Sequence, residues 1–180
     1  MIKTPLSLRS PIVYLDDMND FDVIIVHRWS QESIPERMTC RPIVDFSEME
    51  IIARFRERKE NRNLRDFAVR RTDDDALLGR VCYFDLNPRN RAVEIGYFIG
   101  PEYLRNGYAY EAMKLLLNYL FNKLGLNKAT AQTGEFNKAS IALLKKLGFK
   151  RDGRLRQHHK LDGRMYYDLL YSILADEFKA

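Results

Sequence analysis

The sequence predicts a mixed α/β (α+β) fold in which helices cover both faces of a mostly antiparallel sheet. Three observations predict it: alternating apolar segments joined by tight turns in the middle of the chain, two amphipathic segments beyond Gly107, and a hairpin signal near the C-terminus. No repeat or linker divides the 180 residues, and 46% of them are hydrophobic, which is enough for a full core. We therefore expect residues 1–180 to form a single domain.

The first sixty residues are predicted to contain one strand and two helices. The strand spans Ser7–Leu15, and the helices span Met18–Trp29 and Phe46–Glu60. Three consecutive antiparallel strands should follow, over Asp66–Arg71, Leu77–Leu86 and Ala92–Ile99. Short runs rich in Asp, Asn and Pro separate these strands, and such residues favour tight turns.

A long buried helix is predicted after Gly107, with Gly125 as its stop signal. Its apolar residues fall on one helical stripe: Ala109, Ala112, Met113, Leu116, Leu120 and Leu124. A short strand over Leu126–Thr133 should follow, and then a second helix that is capped by Asn137 and ends at Gly148.

The C-terminal part is predicted to return to the sheet at Phe149 and to close with a hairpin. Asp162-Gly163 lies between the extended segments Arg154–Leu161 and Arg164–Ile173, which is a signal for a type I′ turn.

Composition excludes several classes of protein. No apolar run approaches the roughly 18 to 20 residues that span a bilayer, and Met1–Pro11 has no signal-peptide core. The two cysteines, Cys40 and Cys82, form neither a disulfide framework nor a CxxC metal pair. We therefore expect a cytoplasmic protein without a metal and without membrane contact.

Positive charge is concentrated in the C-terminal part. Residues 1–100 hold 16 basic and 17 acidic side chains, whereas residues 101–180 hold 14 basic and 8 acidic ones. Such a surface can face a phosphate-bearing ligand, a nucleic acid, or solvent alone, and charge does not choose among them.

The loop before the long helix has the properties of an anion site. A strand that ends near Gly100 and a helix that starts near Gly107 leave backbone N–H groups unpaired at the positive end of the helix dipole. Gly107 lets the backbone approach phosphate oxygens, Ala109 keeps the first turn small, and Arg105 can add charge-assisted hydrogen bonds.

Two blocks of residues resemble the GNAT superfamily of acyl-CoA-dependent N-acetyltransferases. Val93–Ile99, Pro101 and Gly107–Ala112 resemble its central strand, phosphate-binding loop and following helix. Asn137–Ser140 with Leu147–Phe149 resembles its second block, in the version of the RimJ/RimL-type ribosomal-protein N-terminal acetyltransferases. About the last hundred residues match the family layout, and the first sixty match it loosely.

The resemblance implies acetyl-CoA as co-substrate and a set of residues that bind it. It implies main-chain contacts to pantetheine from the end of the strand, amide contacts to pyrophosphate from the loop, and a side-chain contact to pantetheine or a bound water. These residues are Tyr97, Phe98 and Ile99, then Leu104, Arg105, Asn106, Gly107, Tyr108 and Ala109, and finally Asn137. The family usually has Gln or Arg and then Gly where this chain has Leu104 and Arg105. Asn106 tolerates a left-handed backbone more easily than Arg105 does.

The same resemblance implies two catalytic candidates. Strand alternation places Glu94 on the face opposite Val93 and Ile95. An acidic residue here often serves the family as general base, and a substrate-orienting role is the alternative. Ser140 would lie near the thioester sulfur, as a proton donor or as a hydrogen-bonding group. His158 and His159 are adjacent on a predicted strand and should point to opposite faces, so we expect no metal pair there.

The sequence therefore predicts an acetyl-CoA-dependent N-acetyltransferase in which a primary amine attacks the thioester directly. A protein N-terminal α-amine of the ribosomal-protein type is the leading acceptor, and a polyamine, an aminoglycoside or another small amine is the alternative. A basic RNA- or ribosome-binding module without turnover is a further alternative, although no nucleic-acid motif appears. We expect a monomer or a homodimer, with Trp29–Pro42 forming one wall of the acceptor groove.

Overall fold

The computed structural model of the protein describes residues 8–32 and 44–179. Its seven strands are β1 (Val13–Asp17), β2 (Arg65–Arg71), β3 (Leu77–Asn87), β4 (Ala92–Ile99), β5 (Lys128–Gly134), β6 (Lys150–Leu161) and β7 (Arg164–Leu174). Its helices are α1 (Asp20–Glu32), α2 (Glu48–Glu60), α3 (Tyr108–Asn118) and α4 (Lys138–Lys146). The N-terminal end of the first predicted strand, Cys40 and most of the predicted groove wall lie outside the described residues.

The strands form one sheet in the order β1-β2-β3-β4-β5-β7-β6. Every neighbouring pair is antiparallel except β4 and β5, which run parallel. The expected mixed sheet with helices on both faces is confirmed, because α1 and α2 pack beside Ala68 and Phe98 while α3 and α4 contribute to the larger core on the other face.

The first strand begins later than the sequence indicates. Ser10 Oγ accepts hydrogen bonds from the N–H groups of Ile12 and Val13, and it donates to the Val13 carbonyl oxygen. This side-chain turn, together with Pro11, which has no N–H to donate, delays regular pairing until Val13. The prediction of a strand from Ser7 onward was therefore wrong for its described part before Val13.

The two N-terminal helices are confirmed, and their starts are set by caps. Asn19 Oδ1 accepts from the N–H groups of Phe21 and Asp22, so α1 begins after Asn19. Ser47 and Glu50 form a reciprocal capping box at the start of α2.

The long helix changes its winding before it ends. After Asn118 the chain continues as one π-helical turn over Tyr119–Lys123, and Gly125 then adopts a φ of +64°. The wider turn rotates the stripe, so Leu117 and Phe121 become buried while Leu124 is 38% exposed. The prediction that Leu124 continues the buried stripe was wrong, whereas the burial of Ala112, Met113, Leu116 and Leu120 is confirmed.

The C-terminal hairpin is confirmed. Asp162 and Gly163 have φ values of +50° and +77°, as a type I′ turn requires, and Leu161 pairs with Arg164. β6 carries two irregularities against β7, between Arg151 and Gly153 and between Leu155 and His159. The second of them shapes the site described below.

Alanine substitution at Leu120 and at Leu124 should have different effects on stability, because Leu120 belongs to the buried stripe whereas the π-helical turn leaves Leu124 partly exposed. Leu120 is fully buried, so Leu120→Ala should lower the free energy of unfolding by about 2–5 kcal/mol. Leu124→Ala should lower it by less than about 1 kcal/mol, because this side chain is partly solvated. Urea unfolding of both variants measures the difference, and equal losses would contradict the altered winding.

Candidate active site

The sheet opens between its two parallel strands. β4 pairs with β5 only from Ala92 to Glu94, opposite Lys128 to Thr130. Beyond these pairs, β4 follows β3 as far as Ile99, and β5 follows β7 as far as Gly134. Within the described residues, the edges that face each other across this opening carry backbone groups without a strand partner on that side, so an extended ligand can pair with them.

The predicted strand residues flank this opening and point to both faces. Tyr97 packs against the larger core, and Ile99 is buried. Phe98 lies on the opposite face, beside Trp29 and Leu77.

Tyr97 and Ser140 contact each other across the opening. The Tyr97 phenol lies next to the Ser140 hydroxyl, and Ser140 is 8% exposed. Burial raises the pKa of Tyr97 above its ordinary value and outweighs the opposing effect of Ser140, so the phenol stays protonated. Asn137 caps α4 as predicted, because its Oδ1 accepts from the Ser140 N–H at 3.1 Å. Tyr97 of β4 and the first turn of α4 therefore lie next to each other at the opening between β4 and β5.

The loop before α3 presents a row of free amides. None of the backbone N–H groups of Arg105, Asn106, Gly107, Tyr108 and Ala109 donates a hydrogen bond within the described ranges 8–32 and 44–179. Gly107 caps the helix with a φ of +82°, and a Cβ placed there would meet nothing within 4 Å. The amides thus face open space at the positive end of α3, as anion binding requires.

The left-handed residue before Gly107 is Arg105, with a φ of +66°, and not Asn106. The less tolerant of the two residues thus adopts the left-handed conformation. Asn106 instead donates its side-chain amide to the carbonyl oxygens of Tyr103 and Leu104 and closes the loop from within. This closure compensates for the backbone strain at Arg105. Leu104 is 46% exposed, so its side chain leaves the loop open.

Neighbouring side chains anchor the loop. The Arg71 guanidinium donates to both carboxylate oxygens of Asp74, and its interactions with Asp74 and the Tyr108 hydroxyl raise the pKa of Arg71 above its ordinary value. Trp29 meets the Tyr103 ring edge-on, with 5.9 Å between the ring centroids. The start of α3 is thus tied to β2 and to α1.

Glu94 lies at the apex of the opening. It is half-buried and pairs with Phe84 on one side and Thr130 on the other. The register places Gln132, Gly134 and Asp168 on the same face of the sheet as Glu94. This face is opposite to α3 and α4, and we call it the acceptor face.

The two histidines depart from the predicted strand geometry. β6 has two extra residues between Leu155 and His159, and Gln157 adopts a φ of +50°. Simple alternation fails there, and both imidazoles approach one carboxylate: His158 Nε2 lies 4.0 Å and His159 Nδ1 3.7 Å from Asp168. The expectation of opposite faces was wrong, and Asp168 was missed. An Asp inside the apolar run of β7 was the available signal.

Basic side chains of the C-terminal half gather on the far side of α4. A groove of about 380 Å³ between α4 and the β6–β7 hairpin is lined by Lys138, Lys145, Arg151 and Arg154, with Glu135 as its acidic member. Arg154 stacks on Tyr167 at 4.8 Å. The basic residues of the C-terminal part are therefore concentrated in this groove and not in the opening between β4 and β5.

Cys82 does not take part in the site. It is buried, and desolvation raises the pKa of its thiol.

Among the described residues, no group of His, Cys, Asp and Glu could hold a metal ion, and no helix is long and apolar enough to cross a membrane.

Comparison with known proteins identifies the family. The sequence matches the acetyltransferase (GNAT) domain over residues 14–150, which includes the opening, the loop and α4. The chain belongs to the GNAT acetyltransferase family. It is an N-acetyltransferase that uses acetyl-CoA, and the free amides of the loop fit a phosphate-bearing donor.

Curated relatives of this chain are N-acetyltransferases that are named for different acceptors or for none. The uncharacterized N-acetyltransferase p20 of Bacillus licheniformis is 28% identical over 90% of this chain and 91% of its own length. The putative ribosomal N-acetyltransferase YdaF of Bacillus subtilis is 33% identical over 59% of this chain and 58% of its own length. The spermidine N(1)-acetyltransferase of Escherichia coli K12 is 29% identical over 59% of this chain and 58% of its own length.

A solved structure shows the same fold. Spermidine N-acetyltransferase from Vibrio cholerae, in complex with CoA and spermine, superimposes with a TM-score of 0.85 at 21% identity. The match covers 92% of this chain and 96% of that protein.

Gly107→Ala should weaken acetyl-CoA binding by at least roughly tenfold, because a Cβ at positive φ costs about 1–2 kcal/mol and disturbs the amide row. Gly125→Ala is the matched control, since Gly125 also has a positive φ with open space around its Cα but lies at the other end of the helix. Isothermal titration of acetyl-CoA into both variants measures the effect. Equal affinities would show that the loop does not bind the donor.

Proposed function

We propose that this protein transfers the acetyl group of acetyl-CoA to a primary amine of a small polycationic acceptor of the polyamine class. The observation that carries the proposal is Glu94, whose half-buried carboxylate lies at the apex of the opening on the acceptor face and can attract an ammonium group. The names of the E. coli relative and of the Vibrio cholerae protein support the same acceptor class.

On this proposal, the donor is held from the other side of the opening. The amides of residues 105–109 bind the pyrophosphate, and the free edge of β4 at Tyr97, Phe98 and Ile99 binds pantetheine through its main chain. Asn137 contacts the pantetheine arm or a bound water. The donor and the acceptor then meet at the opening, and the acetyl group passes directly between them.

Ser140 is the proposed proton donor to the departing thiolate. A serine hydroxyl alone is a weak acid, but the protonated Tyr97 hydroxyl lies beside it and can replace its proton. Tyr97 is therefore proposed as a positioning residue for Ser140.

Glu94 is proposed to contact the acceptor. Its carboxylate can hold an ammonium group in place or accept its proton, and both roles need the half-buried position at the apex.

A protein N-terminal α-amine is the second candidate acceptor. Similarity to the putative ribosomal N-acetyltransferase YdaF favours it. An α-amine, with a reference pKa of about 7.7–8.0, is also neutral more often at physiological pH than an alkyl amine near 10.4.

An acceptor panel decides between these two classes. With acetyl-CoA as donor and release of the CoA thiol as readout, we expect kcat/KM for spermidine to exceed that for ribosomal-protein N-terminal peptides by at least roughly tenfold. The reverse ranking would favour the N-terminal acceptor. RNA binding that is steeply salt-dependent, without any acetyl-CoA affinity, would instead indicate a basic interaction module.

Tyr97→Phe should lower kcat by about tenfold and leave KM for acetyl-CoA unchanged, because it removes only the hydroxyl that lies beside Ser140. Ser140→Ala should cost at least as much, and the double variant should cost little more than Ser140→Ala alone. Tyr83→Phe is the control, since this buried tyrosine on β3 does not contact Ser140. Additive losses would contradict a shared proton path.

A further inference from the structure

The groove between α4 and the β6–β7 hairpin combines positive charge with apolar surface. Its volume is about 380 Å³. Four exposed cations line its two rims, namely Lys138 and Lys145 on α4 and Arg151 and Arg154 on β6. Apolar side chains line it as well, and Ile141 and Tyr167 among them are half-buried. A concave site of this size, with an apolar lining and a few charged groups, is typical of small-ligand binding.

An irregularity of β6 brings both arginines into this groove. Arg151 pairs with Tyr171 and Arg154 pairs with Leu169, so the arginines are three residues apart while their partners are two apart. In a regular strand, a spacing of three would place the two side chains on opposite faces of the sheet. The register shift between Arg151 and Gly153 therefore directs both guanidinium groups to the face on which α4 packs.

The same irregularity keeps an acidic side chain out of the groove. Asp152 has no partner in the register, and its carboxylate lies 2.7 Å from Lys128 Nζ. The hydrogen bond from Lys128 and the nearby Ser172 lower the pKa of Asp152. Ser172 lies on the acceptor face, because Thr130 pairs with both Ser172 and Glu94. Asp152 is thus directed away from the four cations.

The positive charge of the groove is not balanced by the protein. Glu135 is the acidic lining residue, and its Oε1 accepts a hydrogen bond from the Tyr167 N–H at 3.0 Å. Lys138 Nζ donates to the Glu135 carbonyl oxygen, at 2.8 Å. In the described parts of the chain, none of the four cations forms an ion pair with a carboxylate. The groove therefore favours a ligand with more than one negative charge.

One of these cations is held in position before any ligand binds. The Arg154 guanidinium stacks on the Tyr167 ring, 4.8 Å from its centroid. Two hydrogen bonds with Glu135 fix the Tyr167 backbone, one through its N–H and one through its carbonyl oxygen. A planar guanidinium held in this way presents parallel N–H donors to phosphate oxygens, and less entropy is lost when a ligand binds.

The groove is separate from the proposed donor site. Lys146 follows Lys145 on α4 but extends toward α3, where its Nζ lies 4.3 Å from the centre of the Tyr110 ring. The loop that precedes α3 is therefore on one side of α4, and the groove is on the other. Lys138 and Lys145 are two helical turns apart, about 10 Å along the axis, so they can contact different anionic groups of one ligand.

We propose that this groove is a second anion site, which binds consecutive phosphate groups of a nucleotide ligand. Phosphate presents oxygens in several directions and can contact both rims, whereas a carboxylate presents two oxygens in one plane. The half-buried Ile141 and Tyr167 supply apolar surface for a base or a sugar. A free nucleoside triphosphate and a segment of single-stranded RNA both offer this chemistry. The site does not depend on which amine accepts the acetyl group.

The test titrates ATP and, separately, a uridylate octamer into protein that is saturated with acetyl-CoA, so that the donor site is occupied. It compares Lys145→Gln and Arg151→Gln with the control Lys146→Gln. Lys145 and Lys146 are adjacent exposed lysines, and their variants lose the same charge, but Lys145 lines the groove whereas Lys146 extends toward Tyr110. Thermal unfolding and acetyl-CoA affinity show whether each variant keeps its fold and its donor site.

We expect Lys145→Gln and Arg151→Gln each to weaken binding of the tighter probe by at least roughly fivefold, because each removes one contact to phosphate. Lys146→Gln should change it by less than about twofold, and acetyl-CoA affinity should be unchanged in all three variants. Tighter binding of ATP would identify a free nucleotide as the ligand, and tighter binding of the octamer would identify RNA.

Three results would overturn the proposal. The first is that neither probe binds the protein saturated with acetyl-CoA, which would place any nucleotide binding at the donor site. The second is an equal loss in Lys145→Gln and Lys146→Gln, which would indicate diffuse attraction to a basic surface. The third is an octaglutamate peptide that binds as tightly as both probes, which would show that the groove does not select phosphate. Because the readout is binding, failure of acetyl transfer to spermidine would not change these outcomes.

Discussion

The early separation of β4 from β5 is the constraint on which the site depends. Three residue pairs join the two strands, and each then stays with its other neighbour, β3 or β7. Backbone groups at the facing edges lose the partners that a continuous sheet would give them, and such groups require a ligand or water. Both residue blocks that resemble the family lie next to this gap: the β4 block with its following loop, and the start of α4. The location proposed for the chemistry is thus a consequence of sheet pairing.

The sheet also separates the anion site of the loop from the Glu94 carboxylate. Within the described residues, the backbone N–H groups of residues 105–109 donate no hydrogen bond, and they lie at the start of α3 on one side, where a phosphate-bearing donor is favoured. The Glu94 carboxylate lies on the other face, where a positive charge is favoured. On the proposed function, the donor and a cationic acceptor approach the opening from opposite faces of the sheet.

Much of the fold follows from local signals. Asp162-Gly163 predicts its hairpin because a type I′ turn needs left-handed residues, and the Asp- and Asn-rich turns delimit β2, β3 and β4 for a similar reason. The errors have non-local causes. Leu124 leaves the core because a π-helical turn intervenes, and propensity alone does not predict such a turn.

The site was predictable in part, and the missing part is a matter of strand register. The free amides before α3 could be predicted because a strand that ends near Gly100 and a helix that starts near Gly107 leave the first N–H groups of the helix unpaired. The meeting of His159 with Asp168 could not, because it depends on two additional residues in β6 and on a neighbour from another strand. The acceptor depends on side chains that converge only in three dimensions, so no single motif identifies it.

The irregular β6 has one more consequence, since it is an edge strand. Five of its twelve residues are basic, and two irregularities interrupt its pairing with β7. Alignment of two such edges would bring like charges together and would leave the kinked backbones unable to match hydrogen bonds. The sheet of this protein is therefore protected against extension into a second copy through its β6 edge.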